Sequence, residues 1–198
     1  MLVLISAYAA ITRLNFSSAR NPGNVLDEFN QVKVYFNGGV NNSSGRNLSS
    51  DGYKIGVKYQ CVEFVKRYYF ERFGHRMPDS MGNAREFFDR SVPDGAMNAK
   101  RGLLQFSNGS PVAPESEDIL VFGPWVFNPY GHVAIVTAVN ATSLEVIQQN
   151  PGPFGGSRET IPLSQTITGW KVQNGRVMGW LRLTEDERLR TKILTGHS

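Results

Sequence analysis

The apolar positions of this chain follow a helical period in its first half and a strand period in its second. Val62, Val65, Tyr69 and Phe73 recur three and four positions apart, which predicts an amphipathic helix over residues 60–73. Gly74 follows where a left-handed residue closes a helix. Residues 83–90 read as a second helix. Ahead of both, Val32-Lys33-Val34-Tyr35-Phe36 alternates as a strand does, and the Gly, Asn and Ser of residues 37–52 read as a loop. Residues 106–116 form a second loop, rich in Pro, Gly and Ser. Beyond it, residues 118–122 read as a short buried strand. Residues 132–139 and 144–149 read as two more, joined by a turn at 140–143. Asn174-Gly175 carries the signature of a type I′ hairpin, with residues 177–183 as its second strand. Thr184 and Glu187 have the spacing of a capping box, opening a short helix in the tail.

Helices first and antiparallel strands afterwards define an α+β fold, with N-terminal helices packed on one face of an antiparallel sheet. The domain is expected over residues 32–183, between an N-terminal extension (1–31) and a C-terminal tail (184–198). The extension opens on an apolar run followed by Ala7-Tyr8-Ala9. It reads either as a helix around residues 7–14 or as a clipped export signal. Cytoplasm and export therefore both stay open as compartments.

Composition narrows the picture. With 40% hydrophobic and 19% charged residues the chain has enough apolar material for a core. No run approaches the ~20 apolar residues of a membrane-spanning helix. The net charge of +4 is mild. Its densest cluster, Lys66, Arg67, Arg72 and Arg76, reads as a solvated helix face in preference to a nucleic-acid footprint. The single cysteine excludes an intramolecular disulfide and leaves two readings, an inert buried hydrophobe or a reactive thiol.

Position brings the reactive thiol level with the inert reading. Cys61 starts the 60–73 helix, where free N–H groups and the helix dipole favour a thiolate and can also face an oxyanion. Of the three histidines, His197 lies in the tail and His75 follows Gly74 in a charged, solvated turn. His132 opens the apolar strand Val133-Ala134-Ile135-Val136 and is the candidate base. A base needs an orienting partner. If the following turn centres on Ala141-Thr142, His132 faces residues 148–151, where Gln148 and Asn150 share one strand face. One Cys and one well-placed His do not make a zinc site, so neither metal nor cofactor is expected.

Residues 59–67, Tyr-Gln-Cys-Val-Glu-Phe-Val-Lys-Arg, resemble the nucleophile motif of the CHAP family, the cysteine, histidine-dependent amidohydrolases and peptidases. Residues 131–136 resemble its histidine strand, residues 117–122 the strand before it, and residues 146–150 the segment where the family has Glu, a spacer and Asn. Residues 106–114, Val32 to Tyr35, and Gly179-Trp180 resemble the amidase domain of glutathionylspermidine synthetase/amidase. The resemblance covers residues 32–183. It implies a papain-like fold and thioester chemistry, with Cys61 as nucleophile, His132 as base and Gln148 in the place of the orienting carboxylate. Asn150 stands as a second amide beside it. The Cys61 N–H and the Gln60 side chain would steady the oxyanion. Arg67, Asn108, Ser110, Trp125 and Tyr130 are candidate substrate contacts, and Phe127 stands with the two aromatics of its loop. The implied substrate is a small peptide-like amide or, alternatively, a peptidoglycan amide. A catalytically weak binding domain is the third reading, because Gln148 is neutral.

Overall fold

In the computed structural model, residues 20–126, 128–152 and 154–195 are described. The 7–14 segment, Phe127 and His197 lie outside them. Two small hairpins come first, β1 (Val25–Phe29) with β2 (Val32–Tyr35), and β3 (Arg46–Leu48) with β4 (Lys54–Val57). Strand structure therefore starts inside the expected extension, and the expected 37–52 loop contains β3. Helix α1 (Cys61–Phe73) follows. It ends at Gly74, whose φ of +64° is left-handed and whose N–H bonds the Phe70 carbonyl at 2.9 Å. The expected second helix is a single 3-10 turn, Ala84–Phe87, capped by Asn83 and Glu86. Its four residues give too few backbone bonds to propagate an α-helix.

The main sheet has eight antiparallel strands: β5 (Met97–Asn98), β6 (Leu103–Ser107), β7 (Ile119–Phe122), β8 (His132–Val139), β9 (Ser143–Ile147), β10 (Arg158–Thr166), β11 (Gly169–Val172) and β12 (Val177–Arg182). Their spatial order is β11-β10-β9-β8-β7-β12-β6-β5. Helix α2 (Glu185–Thr195) ends the described chain, with the Thr184 hydroxyl 2.8 Å from Glu187 Oε2 at its start. Among the described residues no helix is long and apolar enough to cross a membrane.

Both faces of the central strands are covered, which is why Ile119–Phe122 is apolar throughout. On one face Phe64, Val65, Tyr68 and Tyr69 of α1 pack on Val121, Val133, Ile135 and Leu181. On the other, Leu120, Phe122, Ala134, Val146, Ile161 and Trp180 pack together inside a curl of the sheet. The curl closes where β11 meets the loop after β6. Trp170 N–H donates to the Ser110 carbonyl at 2.7 Å, and Val172 N–H to Asn108 Oδ1 at 2.8 Å. Gly169 takes φ +143° at this seam, and a Cβ there would lie 2.3 Å from the Gly109 carbonyl oxygen.

Two expectations are corrected by this topology. Asn174-Gly175 does not join a hairpin, because β11 pairs with β10 while β12 inserts between β7 and β6. Neither residue takes the positive φ that a type I′ turn requires. Nor do Lys66 and Arg67 of the basic cluster lie on a solvated helix face, although Arg76 is exposed. Lys66 and Arg67 are buried: Lys66 Nζ donates to the carbonyls of Lys54 and Ser80, and Arg67 pairs with Glu63 at 2.7 Å. Arg72 pairs with Glu117 at 2.9 Å and Arg76 with Asp51. His75 is half-buried, its Nε2 2.8 Å from the Arg101 carbonyl oxygen and its ring edge-on to Tyr69.

Asn108 ties both sides of the seam, since its Nδ2 also donates to the carbonyls of Val172 and Val177. Asn108→Ala removes these bonds and leaves partners unmet, so it should destabilise the fold by about 2 kcal/mol, read from the midpoint of urea unfolding.

Candidate active site

Helix α1 opens with its nucleophile candidate. Gln60 is extended (φ −84°, ψ 157°) and caps no N–H with its side chain, so the first-turn amides stay available. The N–H groups of Cys61, Val62 and Val133 all face the Cys61 sulfur, and each favours the thiolate. Burial acts the other way and is the larger influence. The residue is 9% exposed, and desolvation pushes the thiol from 9.0 up to about 11. The expected standing thiolate is therefore replaced by a neutral thiol.

Gly131, at φ +76°, turns the chain into β8, where a Cβ would lie 2.6 Å from the Phe122 carbonyl oxygen. His132 is the first residue of that strand. Its Nε2 lies 2.9 Å from Gln148 Oε1. An amide oxygen only accepts, so Nε2 carries the proton and Nδ1 of the neutral ring carries the lone pair. Gln148 Nε2 in turn donates to the Gly156 carbonyl and to Glu159 Oε2, each at 3.3 Å. Burial pushes His132 from 6.5 down to about 4. The Gln148 bond opposes this, and the positive Arg176 adds to it.

The face on which Gln148 lies is set by a bulge at Thr137. The β8–β9 register runs Val139↔Leu144 and Ala138↔Glu145, then shifts to Val136↔Val146 and Ile135↔Ile147. Without the shift Gln149, not Gln148, would share the face of His132. Thr137 secures the bulge by donating to Glu145 Oε1 at 2.6 Å.

Gln149 is fully buried on the other face and was not anticipated as part of the site. Its Oε1 accepts from Tyr35 N–H at 2.8 Å, and its Nε2 donates to the Gln60 carbonyl at 3.0 Å and to Glu63 Oε2 at 2.9 Å. Glu63, 2% exposed, also accepts from Asn47 at 2.7 Å and from Arg67 Nε at 2.7 Å. This network fixes the start of α1 to the end of β9. Two sequence signals were available: three consecutive amides closing an apolar strand, and an acid four residues before an arginine.

The remaining candidates divide. Gln60 Nε2 donates to the carbonyls of Val40 (3.2 Å) and Asn42 (2.8 Å), which commits both its protons away from an oxyanion. The amide on His132 Nε2 is that of Gln148, whereas Asn150 is turned to the loop and the helix start, its Nδ2 donating to the Val40 carbonyl and Gln60 Oε1, each at 2.8 Å. Arg67 is a buried partner of Glu63 and the Lys33 carbonyl, and Asn108 is bound into the seam. Ser110 is buried with its hydroxyl 2.8 Å from Asp94 Oδ2. None of these three presents a free group to a substrate. A cavity of about 540 Å³ opens beside His132 and Gln148, with Phe122, Trp125, Glu159 and Arg176 in its wall. Trp125 is 47% exposed there, with the Arg176 guanidinium 5.3 Å from its ring centre. Tyr130 is exposed but lies outside that wall. Among the described residues no group of three His, Cys, Asp or Glu is disposed to hold a metal ion.

Fold and site together define an α+β domain that brings a cysteine at the first position of a helix to the amide following a histidine, itself held by a glutamine. Residues 50–150 match the CHAP domain, and the chain belongs to that family. It is 36% identical over 141 residues to the glutathionylspermidine synthase of Crithidia fasciculata, covering 65% of this chain and 19% of that one. It is 32% identical over 153 residues to the bifunctional glutathionylspermidine synthetase/amidase of Escherichia coli K12, covering 71% of this chain and 24% of that one. The chain thus spans about a fifth to a quarter of the length of these relatives. Among solved structures it is similar to the wild-type endolysin LysIME-EF1, with a TM-score of 0.40 and 22% identity, covering 73% of this chain and 60% of that one.

Between pH 6.5 and about 4 the folded chain binds fewer protons at His132 than the unfolded chain does. Acidification across that window therefore favours unfolding, by up to roughly 3 kcal/mol at this ring. His132→Gln should lose correspondingly less stability between pH 7 and about pH 4 in urea titrations. An equal loss in both proteins would contradict the buried neutral ring.

Proposed function

We propose that this chain is a cysteine-dependent amidohydrolase that cleaves a peptide-like amide through a thioester, with Cys61 as nucleophile, His132 as base and Gln148 as the group that orients it. One observation carries the reading. Gln148 holds the His132 ring through Nε2, at the strand end whose next N–H faces the Cys61 sulfur.

Both resting groups are neutral, so the proton moves during attack. Nδ1 of His132 takes the thiol proton as sulfur bonds to the amide carbon. The developing oxyanion is met by N–H groups at the α1 start, where one such donor is typically worth about 3 kcal/mol of barrier. The imidazolium gives its proton to the departing nitrogen as the C–N bond breaks. Water then attacks the thioester, leaves its proton on Nδ1, and the thiol is restored as the acid departs. The names of the curated relatives support an amide of the glutathionylspermidine kind as substrate.

The test is release of free amine from glutathionylspermidine. Cys61→Ala and His132→Ala should each lower kcat about a thousand-fold or more, and Gln148→Ala roughly ten- to a hundred-fold. Cleavage of peptidoglycan fragments alone would overturn the substrate, and full turnover by Cys61→Ala would overturn the mechanism. Because the thiol lies at about 11, Cys61 in the free protein should alkylate with iodoacetamide at pH 7 about a hundred-fold more slowly than an ordinary cysteine. Faster alkylation than free cysteine would mean that the sulfur is already ionised at rest.

A further inference from the structure

We infer that Glu159 is a positioning residue: its carboxylate fixes the Gln148 amide with the oxygen toward His132 and so holds the imidazole as its Nε2–H tautomer. The inference rests on the catalytic reading of His132.

The two ends of a glutamine amide are nearly equal in size, so packing does not choose which one meets the ring. The choice decides the chemistry. If the NH₂ end faced His132, Nε2 would have to accept, Nδ1 would carry the proton, and the ring could not take a proton from the thiol. The groups at the far end of the amide make the choice. Gln148 Nε2 is 3.3 Å from Glu159 Oε2 and 3.3 Å from the Gly156 carbonyl oxygen, both of which only accept. A turned amide would set oxygen against oxygen at both contacts. Gly156 sits in an irregular segment, whereas Glu159 is mounted on β10 in register with Val146. Gln148 lies two residues beyond Val146, so the contact is a diagonal cross-strand pair with its geometry set by the sheet.

The carboxylate does a second thing. Accepting from the amide polarises it and enriches Oε1 with negative charge, which strengthens its bond to His132 once the ring has gained a proton. The family resemblance puts a carboxylate at position 148. In this chain the carboxylate stands one hydrogen bond further out, on the neighbouring strand, and acts through a neutral amide.

The tautomer can be read without any substrate, from the ring nitrogen shifts of ¹⁵N-labelled protein at pH 7. Wild type and Cys61→Ala should both show a protonated Nε2. Glu159→Gln, isosteric and at an exposed position, should show a mixture of tautomers and about ten-fold lower kcat. Glu159→Asp, which keeps an acceptor, should recover part of both. Glu159→Lys, which replaces the acceptor with a donor, should move the ring further toward Nδ1–H. Gln148→Glu alone puts two carboxylates side by side and should lose activity. Gln148→Glu combined with Glu159→Gln should regain activity over that single variant. An unchanged tautomer in both Glu159→Gln and Glu159→Lys overturns the inference, as does a Gln148→Glu variant as active as the double variant. If wild type cleaves no amide, the catalytic reading fails, and the ring shifts still decide what Glu159 does.

Discussion

The candidate site depends on one side chain that bonds to neither the Cys61 sulfur nor the His132 ring. Gln149 joins the end of β9 to the start of α1, with its amide nitrogen on the Gln60 carbonyl and Glu63 and its oxygen on the Tyr35 N–H. Cys61 and His132 lie 71 residues apart in sequence and on different elements. No covalent link fixes their separation, so buried hydrogen bonds must. Such a network is worth most where water cannot compete, and Gln149 and Glu63 are both almost fully enclosed. The open edge of β8 completes the fit. The β8–β9 ladder ends at Ile135↔Ile147, and Gln148 N–H pairs instead with Ser157 on the far side. Backbone amides at the head of β8 are thereby free to face the helix start, and Val133 N–H meets the sulfur there.

That enclosure sets the resting charge state. A helix N-terminus and three N–H groups all draw the thiol toward ionisation, yet removal from water outweighs them. The same burial holds the imidazole neutral, and Arg176 reinforces it. Sulfur and ring are thus both shifted toward the uncharged pair, which spares the apolar face of α1 an isolated buried charge. In the proposed mechanism a neutral Cys61 thiol would need its base at the moment of attack. For this reason the tautomer of His132, and the orientation of the amide that fixes it, matter more here than in a site with a standing ion pair.

Much of the fold was legible because it depends on local pattern. The α1 stripe, the Gly74 stop and the apolar runs of β7 and β8 all read directly from residue spacing. Features set by distant contacts did not. Lys66 and Arg67 look like solvent-facing charges, but their partners are carbonyls and an acid supplied by β2, β4 and the helix itself. Asn108 and Ser110 look like exposed loop polar groups, but they close a sheet whose curl no local window encodes. Asn174-Gly175 has hairpin chemistry, but its flanking strands find better partners elsewhere in the sheet. Pairing His132 with a residue near 148 followed from turn length alone. Which of two adjacent glutamines faced the ring followed from a bulge, and nothing in the period of the strand announces it.

That bulge connects fold to chemistry through parity. Side chains alternate along a strand, so one extra residue at Thr137 exchanges the faces of everything beyond it. With it, Gln148 turns to the ring and Gln149 turns to the helix. Without it the two amides would trade places, the imidazole would face the residue that now anchors α1, and the anchor would be lost to the curl. The three consecutive amides at 148–150 therefore act as three separate tools: one for the ring, one for the helix, and one, Asn150, for the Gln60 side chain and the loop at Val40. A substitution at any one of them disturbs a different contact, although they are neighbours in sequence.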